Sequence, residues 1–307
     1  MKVFNININD EGQRLNKFLE KVSFKLPKSL MYKKIRKKEV KINSKPVAAN
    51  YILKLGDVLT IYGLDEFFTQ KDEEREIKIV KKEVKLDIIY EDENILVVNK
   101  KRGIKTQPDS EKKDSLIDFV LKYLVSEKKY DITKEKSFKP ATCNRLDFNT
   151  KGLVLIGKNF KALRTLNSLM ADGKIKKSYI CEVEGIVKKK KEILYGFWSK
   201  DFKNNKVLIT FNERKNSKKV ITEYMLIKQF KDRSLLKVFL HTGKSHQIRA
   251  HMALIGHPIV GDFKYGSTKK EPQKLTCCGL KFNSKNTSLS YLDGKEITLK
   301  EKFININ

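Results

Sequence analysis

Short apolar runs of strand length dominate the sequence from about residue 84 to residue 307. The runs 86–90 and 95–98 flank an acidic turn, which is typical of a hairpin. Four apolar residues at 153–156 predict a buried strand, and leucines at helical spacing over 163–170 follow it. Because strand and helix patterns do not alternate strictly, we predict an α+β fold with a mixed or antiparallel sheet, not a parallel doubly wound one.

The first 63 residues show a separate pattern. Leu15, Phe18, Leu19 and Val22 recur at the spacing of an amphipathic helix. A second, strongly basic helix is predicted after Pro27, followed by short strand patterns. We therefore expect a small α/β module at residues 1–63, a linker of mixed charge at 64–83, and one large domain at 84–307.

Basic residues greatly outnumber acidic ones, with 66 Lys and Arg against 37 Asp and Glu and a net charge of +29. A field of this sign attracts polyanions, so nucleic acid is the leading partner and a merely solubilising surface is the alternative. The second predicted helix concentrates this charge on one face, and the residues expected to contact RNA phosphates are Lys33, Lys34, Arg36, Lys37 and Lys38.

Neither a membrane span nor a secretion signal is predicted, because no apolar run reaches the necessary length and the first residues lack an apolar core. We expect a cytoplasmic protein. Its four cysteines are scattered and are expected to be reduced. A metal site formed by His246, His251 and His257 with Cys277 and Cys278 is the weaker alternative, because His246 and His251 are five residues apart and no Glu completes a metal motif. Structural hydrogen bonding is the preferred interpretation of these histidines.

The segment 144–152 carries the first candidate for chemistry, because it places Asp147 on a polar loop directly before the buried strand. Taken alone, an Asp followed by Asn-Thr more often forms a hydrogen-bonded turn. In the segment 240–262 a strand ends in Thr-Gly, Ser245 is expected to cap a new helix, and Arg249 then lies near the helix start. A guanidinium at that position suits a carboxylate or a phosphate.

Together these segments resemble the RluA-type pseudouridine synthases, which act on large-subunit ribosomal RNA and some transfer RNAs. The first block resembles the S4 RNA-binding domain. The residues that carry the family resemblance are the Arg-Leu-Asp and Thr-x-Gly elements at 145–152, the Lys-x-Tyr element at 177–179, the Thr-Gly-x-x-His-Gln-Ile-Arg-x-His element at 242–251, and the Gly-His-Pro-Ile-x-Gly-Asp stretch at 256–262; the S4-like residues are those at 14–19, 27–43 and 55–58.

The resemblance implies roles for individual residues. Asp147 is the expected essential carboxylate, Arg249 its partner, and Tyr179 the platform on which the target base stacks. Arg145 is expected to displace or hold that base. The remaining expected substrate-binding residues are Thr150, Gly152, Lys244, His246 and Gln247. The chain departs from the family pattern at Asn144, where histidine is usual, at Phe148-Asn149, where Arg-Asp is common, and at Lys244, where arginine is usual.

The chemistry implied is the conversion of uridine to pseudouridine, in which the base leaves C1′ through N1 and returns through C5. One carboxylate beside the sugar suffices, so no cofactor and no metal are expected. The uridine must leave its stack to be reached. The resemblance favours a monomer acting on 23S ribosomal RNA or a pre-50S particle. The alternative is a ribosome-assembly factor that binds RNA on the same fold without catalysis.

Overall fold

The computed structural model describes residues 1–68, 85–109, 114–135, 137–201 and 206–299. The chain divides into two compact units. The first comprises residues 1–84, 118–141 and 157–164, and the second comprises 85–117, 142–156 and 165–307. The first unit therefore takes in two segments from beyond residue 84, and the expected boundaries at 63 and 83 stay a prediction.

The first unit contains a small antiparallel sheet with strand order β1-β4-β2-β3. Its strands are β1 (Lys2–Asn5), β2 (Val40–Ile42), β3 (Lys45–Pro46) and β4 (Val58–Ile61), and its first helices are α1 (Leu15–Val22) and α2 (Lys28–Arg36). The four apolar residues that predicted α1 are all buried. Leu64 and Phe68 belong to the same core, so the start of the expected linker is packed; residues 69–83 lie outside the described ranges.

In the described part of the second unit, eleven strands form one sheet. Its main path runs β11-β10-β12-β13-β9-β14-β8-β6-β5, with β15 beside β14 and β7 beside β8. The strands are β5 (Ile88–Glu91), β6 (Ile95–Lys100), β7 (Ala141–Thr142), β8 (Lys151–Gly157), β9 (Ile175–Glu184), β10 (Lys191–Asp201), β11 (Lys206–Thr210), β12 (Lys218–Gln229), β13 (Arg233–Leu240), β14 (Leu275–Phe282) and β15 (Glu296–Thr298).

The sheet is mixed, as predicted, because β8 and β14 run parallel while β9 pairs antiparallel with both β13 and β14. Along the chain the helices are α3 (Leu116–Ser126), α4 (Phe160–Ala171) and α5 (Gln247–Leu254). The apolar residues of β6 and β8 are fully buried, which explains their continuous apolar sequence and gives the following loops a rigid base. None of the described helices has the length and apolar character needed to span a bilayer. No disulfide joins the four cysteines, all of which lie in the described ranges.

Candidate active site

The residues directly before Asp147 are held in place by side-chain hydrogen bonds. Asn144 donates from Nδ2 to the carbonyl of Leu153 at 3.1 Å and accepts the N–H of Leu155 at 2.8 Å, both on β8. The hydroxyl of Thr106 donates to the carbonyl of Leu146 and accepts its N–H. The asparagine found where the family has histidine therefore ties the loop to the sheet.

Asp147 and Arg249 meet although 102 residues separate them in the sequence. Nη1 of Arg249 donates to Oδ2 of Asp147 at 2.7 Å. Nε and Nη2 of the same guanidinium donate to Oδ2 and Oδ1 of Asp262, at 2.6 and 2.8 Å. The side chain of Asp262 is only 1% exposed and that of Asp147 is 29% exposed. One guanidinium thus bridges a buried carboxylate and a carboxylate open to the cavity.

Burial disfavours the charged form of Arg249, but the hydrogen bonds and charges of Asp262 and Asp147 outweigh it and raise the pKa of this guanidinium. Arg249 therefore stays charged at any pH at which the protein is folded. The aromatic ring of Tyr265 lies 4.9 Å from its Cζ atom and covers one side of the guanidinium. The sequence left open whether Arg249 binds a carboxylate or a phosphate, and the structure gives it two carboxylates.

The helix that carries Arg249 begins differently from the prediction. Its N-cap is His246, in the left-handed conformation at φ 54°, and no side chain caps the helix, so the expected cap at Ser245 is wrong. The buried side chain of Gln247 fixes this turn instead. It accepts hydrogen bonds from the N–H of Lys244 and the hydroxyl of Thr242, and it donates to β12.

His246 extends the group of polar side chains around Asp147. Its Nε2 lies 3.6 Å from Oδ2 of Asp147, and its Nδ1 is hydrogen-bonded to the hydroxyl of Tyr265 at 2.9 Å. Burial lowers the pKa of His246, and the nearby Asp147 only partly opposes this. The imidazole is therefore mainly neutral at pH 7 and adds a polar contact, not a second cation.

A cavity of about 1390 Å³ in the second unit contains these groups. Tyr179 on β9 lies in its wall and is 6% exposed; burial raises its pKa, so the phenol stays neutral. Basic side chains outnumber acidic ones in the lining. The predicted residues that line the cavity are Asp147, Arg249, Tyr179, Arg145, Thr150, Lys244, His246 and Gln247.

Gly152 is the predicted substrate-binding residue that does not line the cavity. It lies in β8 at φ 118°, and a Cβ atom there would come within 2.2 Å of the carbonyl oxygen of Cys277 on β14. This glycine permits the parallel strands to approach closely, and its expected contact with substrate stays a prediction. Thr150, like Gln247, forms hydrogen bonds within the protein: its hydroxyl accepts one from Nε2 of Gln273 at 3.3 Å.

Sequence reasoning missed Lys100, at the end of β6. It is fully buried, and its ammonium donates to the carbonyls of Lys101, Ile104 and Phe148, the last being the residue after Asp147. Burial lowers its pKa to about 8, although Asp147 favours the charged form. Its position among aliphatic strand residues was a usable signal, because a lysine in a buried strand needs partners.

In the described residues, no three histidine, cysteine, aspartate or glutamate side chains converge in the way metal ligands do. His251 is instead buried on α5, where its Nδ1 is hydrogen-bonded to the hydroxyl of Thr222 at 2.7 Å. His257 is hydrogen-bonded through Nδ1 to the carbonyl of Glu184 at 2.8 Å.

The basic face predicted in the first unit lies on and just after α2. Lys33, Arg36, Lys37 and Lys38 are exposed, whereas Lys34 is half-buried and paired with Glu39. Met31 and Ile35 on the opposite side of the helix are buried in the core. The helix therefore presents its cations to solvent on a rigid support.

Comparison with known proteins shows which family of proteins this chain is similar to. Residues 94–254 match the family model described as RNA pseudouridylate synthase. An uncharacterized RNA pseudouridine synthase of Mycoplasma capricolum is 35% identical over 97% of both chains. Ribosomal large subunit pseudouridine synthase C of Buchnera aphidicola subsp. Baizongia pistaciae is 32% identical over 86% of this chain and 81% of its own.

Ribosomal large subunit pseudouridine synthase D of Borreliella burgdorferi is 35% identical, over 62% of this chain and 57% of its own. Among solved structures, human RNA pseudouridylate synthase domain containing 1 matches with a TM-score of 0.58 at 19% identity. It covers 71% of this chain and 84% of its own. At that level of identity the likeness extends to the fold.

Proposed function

The chain belongs to the RNA pseudouridylate synthase family, in its RluA type, and we propose that it isomerises specific uridines of 23S ribosomal RNA. Family membership makes it an isomerase. The choice of ribosomal RNA is supported by the names of its relatives, several of which are ribosomal large subunit synthases. We expect it to act in the cytoplasm, as a monomer, on free RNA or on a pre-50S particle.

The observation that carries the mechanism is the pairing of Asp147 with Arg249 at 2.7 Å in the wall of a cavity of about 1390 Å³. Because Nη1 of Arg249 binds only one carboxylate oxygen of Asp147 and the side chain is partly exposed, the carboxylate can reach the sugar of an extruded uridine. The N1–C1′ bond then breaks, the base turns, and C5 joins C1′; the proton on C5 is released to solvent and N1 takes up a proton, so the product is an isomer of the substrate.

The arrangement also explains why the bond is rearranged and not hydrolysed. Hydrolysis at a sugar needs a second carboxylate that activates a water molecule. The second carboxylate next to Arg249 is Asp262, and both of its oxygens accept hydrogen bonds from the guanidinium. Asp262 is therefore occupied in holding Arg249, and the detached base is available to rejoin the sugar.

We assign the base-binding roles to Tyr179 and Arg145. Tyr179 is buried in the cavity wall and offers an aromatic face for the uracil. Arg145 is exposed at the cavity, two residues before Asp147, where its guanidinium can take the place of the base or hold it. His246 and Lys244 complete the proposed substrate contacts, while Thr150 and Gln247 support the loops that present them.

In the proposed complex, the cations of α2 bind RNA phosphates outside the cavity. Lys33, Arg36, Lys37 and Lys38 are exposed and lie together on and after one helix. Phosphate contacts of this kind give affinity without sequence information. Residues 1–63 are therefore proposed to bind RNA in the manner of an S4 domain.

The test is release of tritium from ribosomal RNA transcripts labelled at uracil C5. Wild-type protein is expected to release label from a 23S transcript, and Asp147→Ala is expected to abolish release while RNA affinity stays within a few-fold. Asp172→Ala is the matched control, because Asp172 also lines the cavity but is paired at 3.9 Å with Lys174. That variant should keep its activity.

The same experiment distinguishes the synthase from the alternative, a ribosome-assembly factor without catalysis. A ribosome-assembly factor without catalysis needs no paired Asp147 and Arg249, and it would bind RNA without releasing tritium from any ribosomal or transfer RNA. Release that persists in Asp147→Ala would show that the catalytic carboxylate is assigned to the wrong residue.

A further inference from the structure

Two phenylalanine side chains at the cavity are largely exposed. Phe148 is 50% exposed and Phe263 is 60% exposed, and both line the cavity that contains Asp147. A side chain that is exposed and also lines a cavity lies at its mouth. Phe148 stands where the family commonly has arginine, so the cavity mouth of this chain is more aromatic than the family pattern predicts.

Both rings are attached to a fixed backbone. The carbonyl of Phe148 accepts hydrogen bonds from the N–H of Gly103 at 2.9 Å and from the ammonium of Lys100. Phe263 opens a short 3₁₀ helix, Phe263–Tyr265, and its carbonyl accepts the N–H of Gly266 at 3.2 Å. The backbone that carries each ring is therefore held in place, although the rings contribute little to the core.

Each of the two phenylalanines directly follows, in the sequence, an aspartate that binds Arg249. Phe148 directly follows Asp147, and Phe263 directly follows Asp262, the two carboxylates that bind Arg249. The rings are thus placed beside the point at which an extruded nucleotide must enter. Exposed aromatic rings among basic side chains are the pattern with which proteins bind single-stranded nucleic acid, by stacking on bases.

We infer that Phe148 and Phe263 stack on the nucleobases that flank the target uridine. This inference rests on the proposed function and names the part of the RNA that the cavity mouth recognises. Extrusion of a uridine removes a stacking partner from each neighbouring base. An aromatic ring on each side replaces that partner, so the rings stabilise the open form of the RNA and favour purines beside the target.

The test measures affinity for a short single-stranded RNA with one uridine between two adenosines. Phe148→Ala and Phe263→Ala are each expected to weaken binding by about 5- to 150-fold, the usual range for loss of one stacked base. Phe148→Trp should retain binding and Phe148→Leu should lose it. Phe211→Ala is the matched control, because Phe211 is 64% exposed and does not line the cavity.

A second RNA, with both adenosines replaced by abasic nucleotides, isolates the stacking interaction. The loss caused by either alanine variant should disappear on this RNA, since the base that the ring contacts is gone. An equal loss on both RNAs, no loss on the first, or full retention in Phe148→Leu would overturn the inference. Full retention in the leucine variant would show that the contact with RNA is apolar and needs no aromatic ring. Because binding is read without turnover, absence of tritium release in wild-type protein is a separate result.

Discussion

Replacing Asp262 with asparagine tests how the proposed catalytic pair, Asp147 and Arg249, is held. The substitution keeps the size of the side chain but removes its charge and turns one acceptor oxygen into a donor. In the structure this carboxylate accepts two hydrogen bonds from Arg249, at 2.6 and 2.8 Å, and its side chain is 1% exposed. The variant therefore leaves a buried guanidinium with a poor partner.

The size of the effect follows from burial and from the number of bonds. Removing one partner of a buried charged pair costs about 3–5 kcal/mol, because the other charge stays desolvated. For Asp147→Asn we expect a loss of about 1 kcal/mol or less, since Asp147 makes one bond to Arg249 and its side chain is 29% exposed. Two isosteric changes on the same arginine should thus differ several-fold in their cost to stability.

Urea unfolding followed by circular dichroism measures the free energy of unfolding, and tritium release measures kcat. Both variants should lose activity: Asp147→Asn because the reacting group is gone, and Asp262→Asn by about 100-fold because Arg249 is misplaced. Only Asp262→Asn should move the urea midpoint strongly. Equal midpoints for the two variants, or a larger shift for Asp147→Asn, would refute the view that Asp262 is the anchor.

Three further outcomes are expected. His251 is fully buried, and burial lowers its pKa from 6.5 to about 4. As pH falls from 6.5 to 4, this imidazole therefore takes up a proton in the unfolded chain while it stays neutral in the folded protein. The protein should lose about 3 kcal/mol of stability from this group between pH 6.5 and pH 4, and urea midpoints of His251→Asn should fall less steeply. Lys100→Met should lower kcat by about 100-fold with little change in KM, because the loop at Phe148 loses its tether; unchanged kcat would remove Lys100 from the positioning of Asp147. Neutralising Lys33, Arg36 and Lys37 should reduce the salt dependence of RNA binding by about 0.7 in the log–log slope for each phosphate that the protein no longer neutralises, and an unchanged slope would exclude this face from binding.

The sequence predicted those parts of the molecule that depend on local pattern. The stripe of Leu15 and Phe18 gave α1, and the apolar run 153–156 gave the centre of β8. Asp147 and Arg249 were paired in advance only through the family resemblance, since 102 residues separate them. No periodicity or spacing indicates which distant loop a side chain will meet.

The parts that were missed depend on tertiary contacts. At Gly152 the missing side chain permits the close approach of Cys277 on a strand far along the chain, a role that the sequence does not indicate. Ser245 has the residue type of a helix cap, yet the left-handed turn at His246 starts the helix one residue later. Asp262 looks like a surface residue by type, and only its burial against Arg249 shows that its charge organises the site.

The three hydrogen bonds of Arg249 separate binding from catalysis. All three hydrogen bonds go to carboxylates, two to Asp262 and one to Asp147. Because two negative charges outweigh one positive charge, the cluster of Arg249, Asp147 and Asp262 repels a phosphate. Besides the cations of α2, attraction of the RNA is then expected from exposed lysines that line the same cavity, among them Lys218, Lys219 and Lys244. Neutralising these lysines should weaken RNA affinity while the rate at saturating RNA changes little, whereas Asp147→Ala should do the reverse. If the lysine variants lost rate at saturation instead, the cations would act on the reacting nucleotide itself, and the division between an attracting mouth and a catalytic interior would be wrong.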